Sequence, residues 1–164
     1  MAAAVTGWLE GRATTTEEHD LAQLPDWLTT FQTLQAWEAW QQHGPWLDRR
    51  LDTLGADVRS RFETGSHVSE AQADQARGVV AAARSEIREL VGDRVLVLPS
   101  ASSVAPRTGP GLAERLQEVR TATMQLTCLA GLGGLPAVSV PVQTEEGLPA
   151  GVCLVAAPGR DRDL

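Results

Sequence analysis

Apolar residues recur along this chain at a helical period in its first half and at shorter spacing towards its end. From Leu28, the positions Phe31, Leu34, Trp37 and Trp40 follow one another at intervals of three. Pro25-Asp26 opens that run and Gly44-Pro45 is expected to close it, which predicts a helix between them. Two shorter helices are expected over 45–54 and 56–62. Ser69, with Gln72 three residues later, has the form of a capping box, in which each side chain satisfies a backbone N–H of the other. It introduces the clearest helix of the chain. Ala76, Val80, Ala83, Ile87 and Leu90 lie on one stripe, with Arg77, Arg84, Glu86 and Arg88 off it. Gly92 then supplies a left-handed stop.

Val95 to Leu98 is an uninterrupted apolar run between Asp93-Arg94 and Pro99, which suits a strand covered on both faces. A loop rich in Ser, Pro and Gly is expected over 100–111. Leu112, Leu116, Val119, Thr123, Leu126 and Ala130 mark another helix, ended by Gly131-Leu-Gly133-Gly134. Two apolar runs follow, 137–142 and 151–157, each introduced by Gly-Leu-Pro. Thr144-Glu145-Glu146 lies between them, and charges there would be costly to bury unpaired. The two runs are therefore expected as neighbouring strands joined by an exposed turn over 143–147. Residues 1–24 show no sustained period and are expected as an irregular lead-in with room for a short strand. Helices interleaved with three strands predict an α/β architecture.

Composition narrows the chemistry more than the architecture. With 164 residues, 43% of them hydrophobic and 21% charged, the chain has the means to bury a core. A net charge of −7, with no arginine stripe among aromatics, argues against nucleic acid as a partner. No apolar run approaches the roughly 20 residues of a membrane span, and no signal-peptide pattern opens the chain. The expected setting is a reducing cytoplasm, with no membrane partner. All 14 basic residues are arginine. Lysine and tyrosine are absent altogether, which removes two common acid–base side chains.

The remaining candidates have ordinary explanations. Four of the five tryptophans fall between 27 and 46, where helical spacing favours a packing ridge over an aromatic cage. Cys128 and Cys153 form no CxxC pair and are expected as buried free thiols. His19, His43 and His67 lack the spacing of a metal site, so neither metal nor cofactor is expected. The glycines at 131–134 run from helix to strand, opposite to a dinucleotide loop, and the sixth position is Pro136. No serine stands in G-x-S-x-G. Ser100, Ser102 and Ser103 follow a strand, where turn formation is the commoner role.

Three segments, taken in order, resemble a known family. They are Phe31 to Trp40 with His43-Gly44; Val95 to Ser100 with Ala105-Pro106; and Leu126-Thr127 before Gly133-Gly134-Leu135-Pro136-Ala137-Val138-Ser139-Val140-Pro141. Their order and spacing over 25–164 resemble the C-terminal portion of bacterial amidase signature enzymes. The resemblance implies a partial amidase-signature fold, a mixed sheet flanked by helices, with the N-terminal catalytic portion absent. It implies a parent that hydrolyses C–N amide bonds without a metal or organic cofactor. The family's Ser–Ser–Lys triad sits in a Gly/Ser-rich segment that this sequence does not match, so no catalytic residue carries over.

What the resemblance leaves to this chain is sheet strands and part of the substrate-pocket wall. The loop after Pro99 and the helix before Gly133 are the implied wall segments, with Met124 and Gln125 as substrate-binding candidates. The flexible thioether of Met124 also suits a gap-filling place in a core. The implied partners are a small-molecule amide for the full-length parent, and an N-terminal amidase half or a second copy at an uncovered sheet edge. Asp161-Arg162-Asp163-Leu164 has the form of a helix start, so the chain is expected to be cut from a longer fold. A non-catalytic interaction module and an inert truncated gene product are the alternatives.

Overall fold

Four helices precede the first strand, in the order α1 (Ala2–Leu9), α2 (Leu24–Leu47), α3 (Ala56–Ser66), α4 (Glu70–Val91), β1 (Leu96–Pro99), α5 (Leu112–Gly133), β2 (Ala137–Gln143) and β3 (Pro149–Val155). They are seen in a computed structural model that describes residues 1–13 and 15–164. The chain divides into two compact units, one of residues 1–24 with 84–164 and one of residues 25–83.

In the unit 25–83, the expected stop at Gly44-Pro45 does not occur. Helix α2 continues to Leu47 with Pro45 inside it. The proline forgoes one hydrogen bond, a cost of about 3 kcal/mol in a helix interior. Leu47 beyond it is 1% exposed, and burying a leucine contributes about 1.5–3 kcal/mol in return. The ladder continues past it, with Asp48 N–H donating to the Gly44 carbonyl at 2.9 Å. The helix expected over 45–54 is thus the end of α2 followed by a 3-10 turn, Leu51–Thr53.

Helix α3 extends past the expected end at residue 62 and approaches α2 at Gly65, where a Cβ would overlap the Ala36 carbonyl. His43 meets the Phe62 ring edge-on at 6.1 Å. The tryptophans of α2 occupy different surroundings. Trp27 is buried, Trp37 lies 4.5 Å beneath the Arg77 guanidinium, and Trp46 is 51% exposed beside Arg50. The capping box forms as expected: Ser69 N–H donates to Gln72 Oε1 at 2.9 Å, and Gln72 N–H to Ser69 Oγ at 3.3 Å.

The other unit carries the sheet, in the order β1-β3-β2, with antiparallel pairing throughout. The mixed sheet of the implied fold is represented among the described residues by this antiparallel part. The two runs introduced by Gly-Leu-Pro pair along their whole length, from Ala137 opposite Val155 to Gln143 opposite Pro149. Glu145 and Glu146 are exposed in the turn between them, and Gly147 takes φ 76° there. The opening segment, expected as irregular, contains α1, which lies against all three strands and buries Val5. Its Ala-rich sequence shows no clear period, and contact with the sheet holds it.

Ser100 N–H donates to the Gly151 carbonyl, so the backbone polar groups of Gly151 face β1. Those groups alternate along an antiparallel strand, and Val152 therefore bonds towards β2. Pro141 stands opposite Gly151 and Pro99 opposite Val152. Each proline nitrogen consequently faces a free edge of the sheet. Both prolines keep their missing donors off the ladder.

Helix α5 corrects a further expectation. Its buried residues are Cys128, Leu129, Leu132 and Gly133, whereas the stripe read from spacing is half-buried and Leu116 is 48% exposed. The last turns of α5 are held from α4. Arg84 Nε donates to the Leu132 carbonyl at 2.9 Å and Arg88 Nε to the Gly133 carbonyl at 2.7 Å. These carbonyls have no intrahelical partner, and a cation at a helix C-terminus also complements the helix dipole. Ile87, fully buried, packs where a Cβ on Gly133 would come within 3.1 Å of it.

Candidate pocket wall

The strand β1 ends at Pro99, and the chain then crosses from the sheet to α5 through the loop 100–111. Three sets of hydrogen bonds fix that crossing. At its start, Ser100 Oγ lies 2.5 Å from Ser139 Oγ of β2. The two hydroxyls meet over the middle strand because Gly151 has no side chain; a Cβ there would lie 2.7 Å from Ser100 Oγ and 3.1 Å from Ser139 Oγ. Further along, Ser102 N–H donates to Thr123 Oγ1 at 3.1 Å, and Ser102 Oγ donates to the Val119 carbonyl at 3.1 Å. At its end, the Arg115 guanidinium donates to the carbonyls of Pro110 at 2.8 Å and Arg107 at 3.0 Å.

Met124 and Gln125 are both half-buried on α5, next in sequence to Thr123. Gln125 borders a shallow, open groove of about 720 Å³ along the helix with Ala113, Glu114, Gln117, Glu118, Thr121 and Ala122. Met124 does not border that groove. The carbonyl of Gln125 accepts a hydrogen bond from Cys128 Sγ at 3.3 Å.

The hydroxyls of this region are engaged with groups that do not take protons at neutral pH. Ser100 pairs with Ser139, Ser102 with Thr123 and a carbonyl, and Ser103 Oγ donates to the Val104 carbonyl at 2.8 Å. An activated serine requires an adjacent base. The thiols are poor nucleophiles too: burial pushes Cys128 up to about 11, partly offset by a backbone hydrogen bond, and burial also raises Cys153. The one serine–histidine contact among the described residues, Ser66 Oγ to His67 Nδ1 at 3.4 Å, lies at a helix end where both groups also reach the Glu63 carbonyl. No described helix is long and apolar enough to cross a membrane.

Sequence reasoning placed Ser100 and Ser102 after the strand and Thr123 on the helix, and found no link between them. The available signals were Gly151 inside a strand, which marks close approach, and a threonine in an otherwise apolar stripe.

No family model matches the chain. It is 29% identical over 149 residues to Amidase 1 of Arabidopsis thaliana, covering 90% of this chain and 35% of that protein. A solved structure described as an inhibitor-bound vestigial protein complex, tied to the origins of an s-triazine catabolic enzyme, superposes with a TM-score of 0.81 at 23% identity. That match covers 98% of this chain and 36% of the other. A bacterial aryl acylamidase of the amidase signature family superposes with a TM-score of 0.52 at 16% identity, over 86% of this chain and 31% of the other. The chain resembles the amidase signature enzymes and carries part of their α/β fold. It spans about a third of the length of the Arabidopsis relative, 35%.

Proposed function

We propose that this chain is the C-terminal sheet and pocket-wall portion of an amide hydrolase, incomplete for catalysis alone. One observation carries the reading: nearly the whole chain matches amidases, yet it contains no lysine to serve as base. Acyl transfer to a serine needs a nucleophile, a neighbouring base and donors for the oxyanion. The serines after β1 are bonded to carbonyls and other hydroxyls, in the manner of groups that hold a loop in place. On this reading the loop 100–111 and the α5 face near Met124 and Gln125 line the acyl side of a pocket. The reacting groups come from polypeptide outside this sequence, and the partners are a small amide substrate and that polypeptide.

Two assays test this. The chain alone should turn over no simple aryl or alkyl amide and take up no fluorophosphonate probe. Turnover that vanishes on replacing Ser100, Ser102 or Ser103 would overturn the incompleteness. A chimera in which this chain replaces the matched portion of Arabidopsis Amidase 1 should hydrolyse amides, with Gln125→Ala or Met124→Ala shifting KM between substrates. A folded chimera without activity would sink the wall role.

A further inference from the structure

We propose that Thr123 is a positioning residue that locks the loop 100–111 to α5, so that loop and helix form one wall whose shape is set before any ligand arrives. The inference rests on the reading of that loop as a pocket wall and adds to it the group that sets its shape.

Five of the seven other threonines in the α-helices follow one pattern, from which Thr123 departs. Thr29, Thr30, Thr33, Thr64 and Thr127 each donate Oγ1 to the carbonyl four residues earlier, at 2.9 to 3.1 Å. This local bond is the usual way a helix satisfies a threonine. For Thr123 the carbonyl four residues earlier is Val119, and Ser102 Oγ takes it instead. Thr123 Oγ1 turns to the loop, accepting from Ser102 N–H at 3.1 Å and lying 3.1 Å from Ser102 Oγ. Since Ser102 Oγ donates to Val119, the proton between the two hydroxyls comes from Thr123. Three donors and three acceptors close on one another between loop and helix.

Without such bonds a stretch of this composition would be mobile. Residues 100–111 include Gly109 at φ 131° and Gly111 at φ 70°, and a loop with few buried contacts opens easily. The Ser102 lock lies between the sheet anchor at Ser100 and the Arg115 anchor at Arg107 and Pro110. A wall ordered in advance spares a ligand the entropy of ordering it. Selection among amides would then follow the fixed shape of the wall.

Residue-resolved hydrogen exchange on the 164-residue chain is the test. In the wild type the Ser102 amide should be protected, although it belongs to no helix or strand. Thr123→Val keeps the shape and removes the hydroxyl; it should speed exchange at Ser102 by roughly tenfold while the amides of Leu129 and Leu132 keep their protection. Thr123→Ser keeps the hydroxyl and should restore the slow rate. Wild-type exchange in Thr123→Val, or equally fast exchange in Thr123→Ser, would overturn the proposal. Should Thr123→Val fail to fold, the wild type still decides: open-chain exchange at Ser102 beside protected α5 amides would refute the lock. An untethered loop in an active chimera would remove this inference alone, and a tethered loop in an inactive chimera would remove the wall role alone.

Discussion

Ser100, just past the end of β1, and Ser139 of β2 share a hydrogen bond of 2.5 Å across Gly151 of β3, the strand between them. Outer strands on either side of a third are too far apart for short side chains to meet over an ordinary residue. Glycine at the crossing removes the obstacle. The bond ties the first residue of the loop 100–111 to β2.

Gly151→Ala should therefore destabilise the chain by about 1–3 kcal/mol, as overpacking does at a tight site. The new Cβ would lie 2.7 Å from Ser100 Oγ and 2.9 Å from Ser100 Cβ. Ser100→Gly removes both atoms, so the cost of Gly151→Ala should shrink in that background. Urea midpoints of the two single variants and the double variant give the coupling. Additive costs would mean that the two residues do not compete for the same space.

Alkaline pH should weaken the fold through Cys128. Burial raises its folded-state value from 9.0 to about 11, so the native thiol keeps its proton after the unfolded thiol has lost it. The unfolded state then binds fewer protons, and stability falls as pH rises. The stabilisation is complete below pH 9 and is lost as pH climbs towards 11. Denaturant titrations across that window should show the decline, and Cys128→Ala should remove its share. A flat profile in the parent chain would contradict the burial of the thiol.

Pro141→Thr should make the sheet more prone to self-association. Pro141 stands opposite Gly151, with its nitrogen at the free edge of β2, where a donor would otherwise invite another strand. Threonine restores the N–H and suits a strand. Val138 at 37% and Leu148 at 41% exposure add apolar surface near that edge. Sedimentation velocity over a range of concentrations should show more association for the variant than for the parent. Equal behaviour would mean that the proline does not guard the edge.

The sequence by itself determined the features that neighbours in the chain settle between themselves. The Ser69–Gln72 capping box, the left-handed stop at Gly92, the glycine end of α5, the exposed acidic turn and the two paired strands beside it were all legible. Each depends on backbone bonds satisfied within a few residues, or on a run of apolar side chains that only a strand accommodates. Tertiary structure decided what depended on distant partners. Helix α1 forms against the sheet, and α2 runs through Pro45 to bury Leu47. Helix α5 buries Cys128, Leu129 and Leu132 in the turns that Arg84 and Arg88 of α4 hold, and leaves the stripe read from spacing half-buried or exposed. The fixing of the loop 100–111 belongs to the second kind. Ser100 and Ser139 are 39 residues apart, and Ser102 and Thr123 are 21 apart. Nothing local brings such hydroxyls together; the pairing of three strands and the absence of a side chain at Gly151 do.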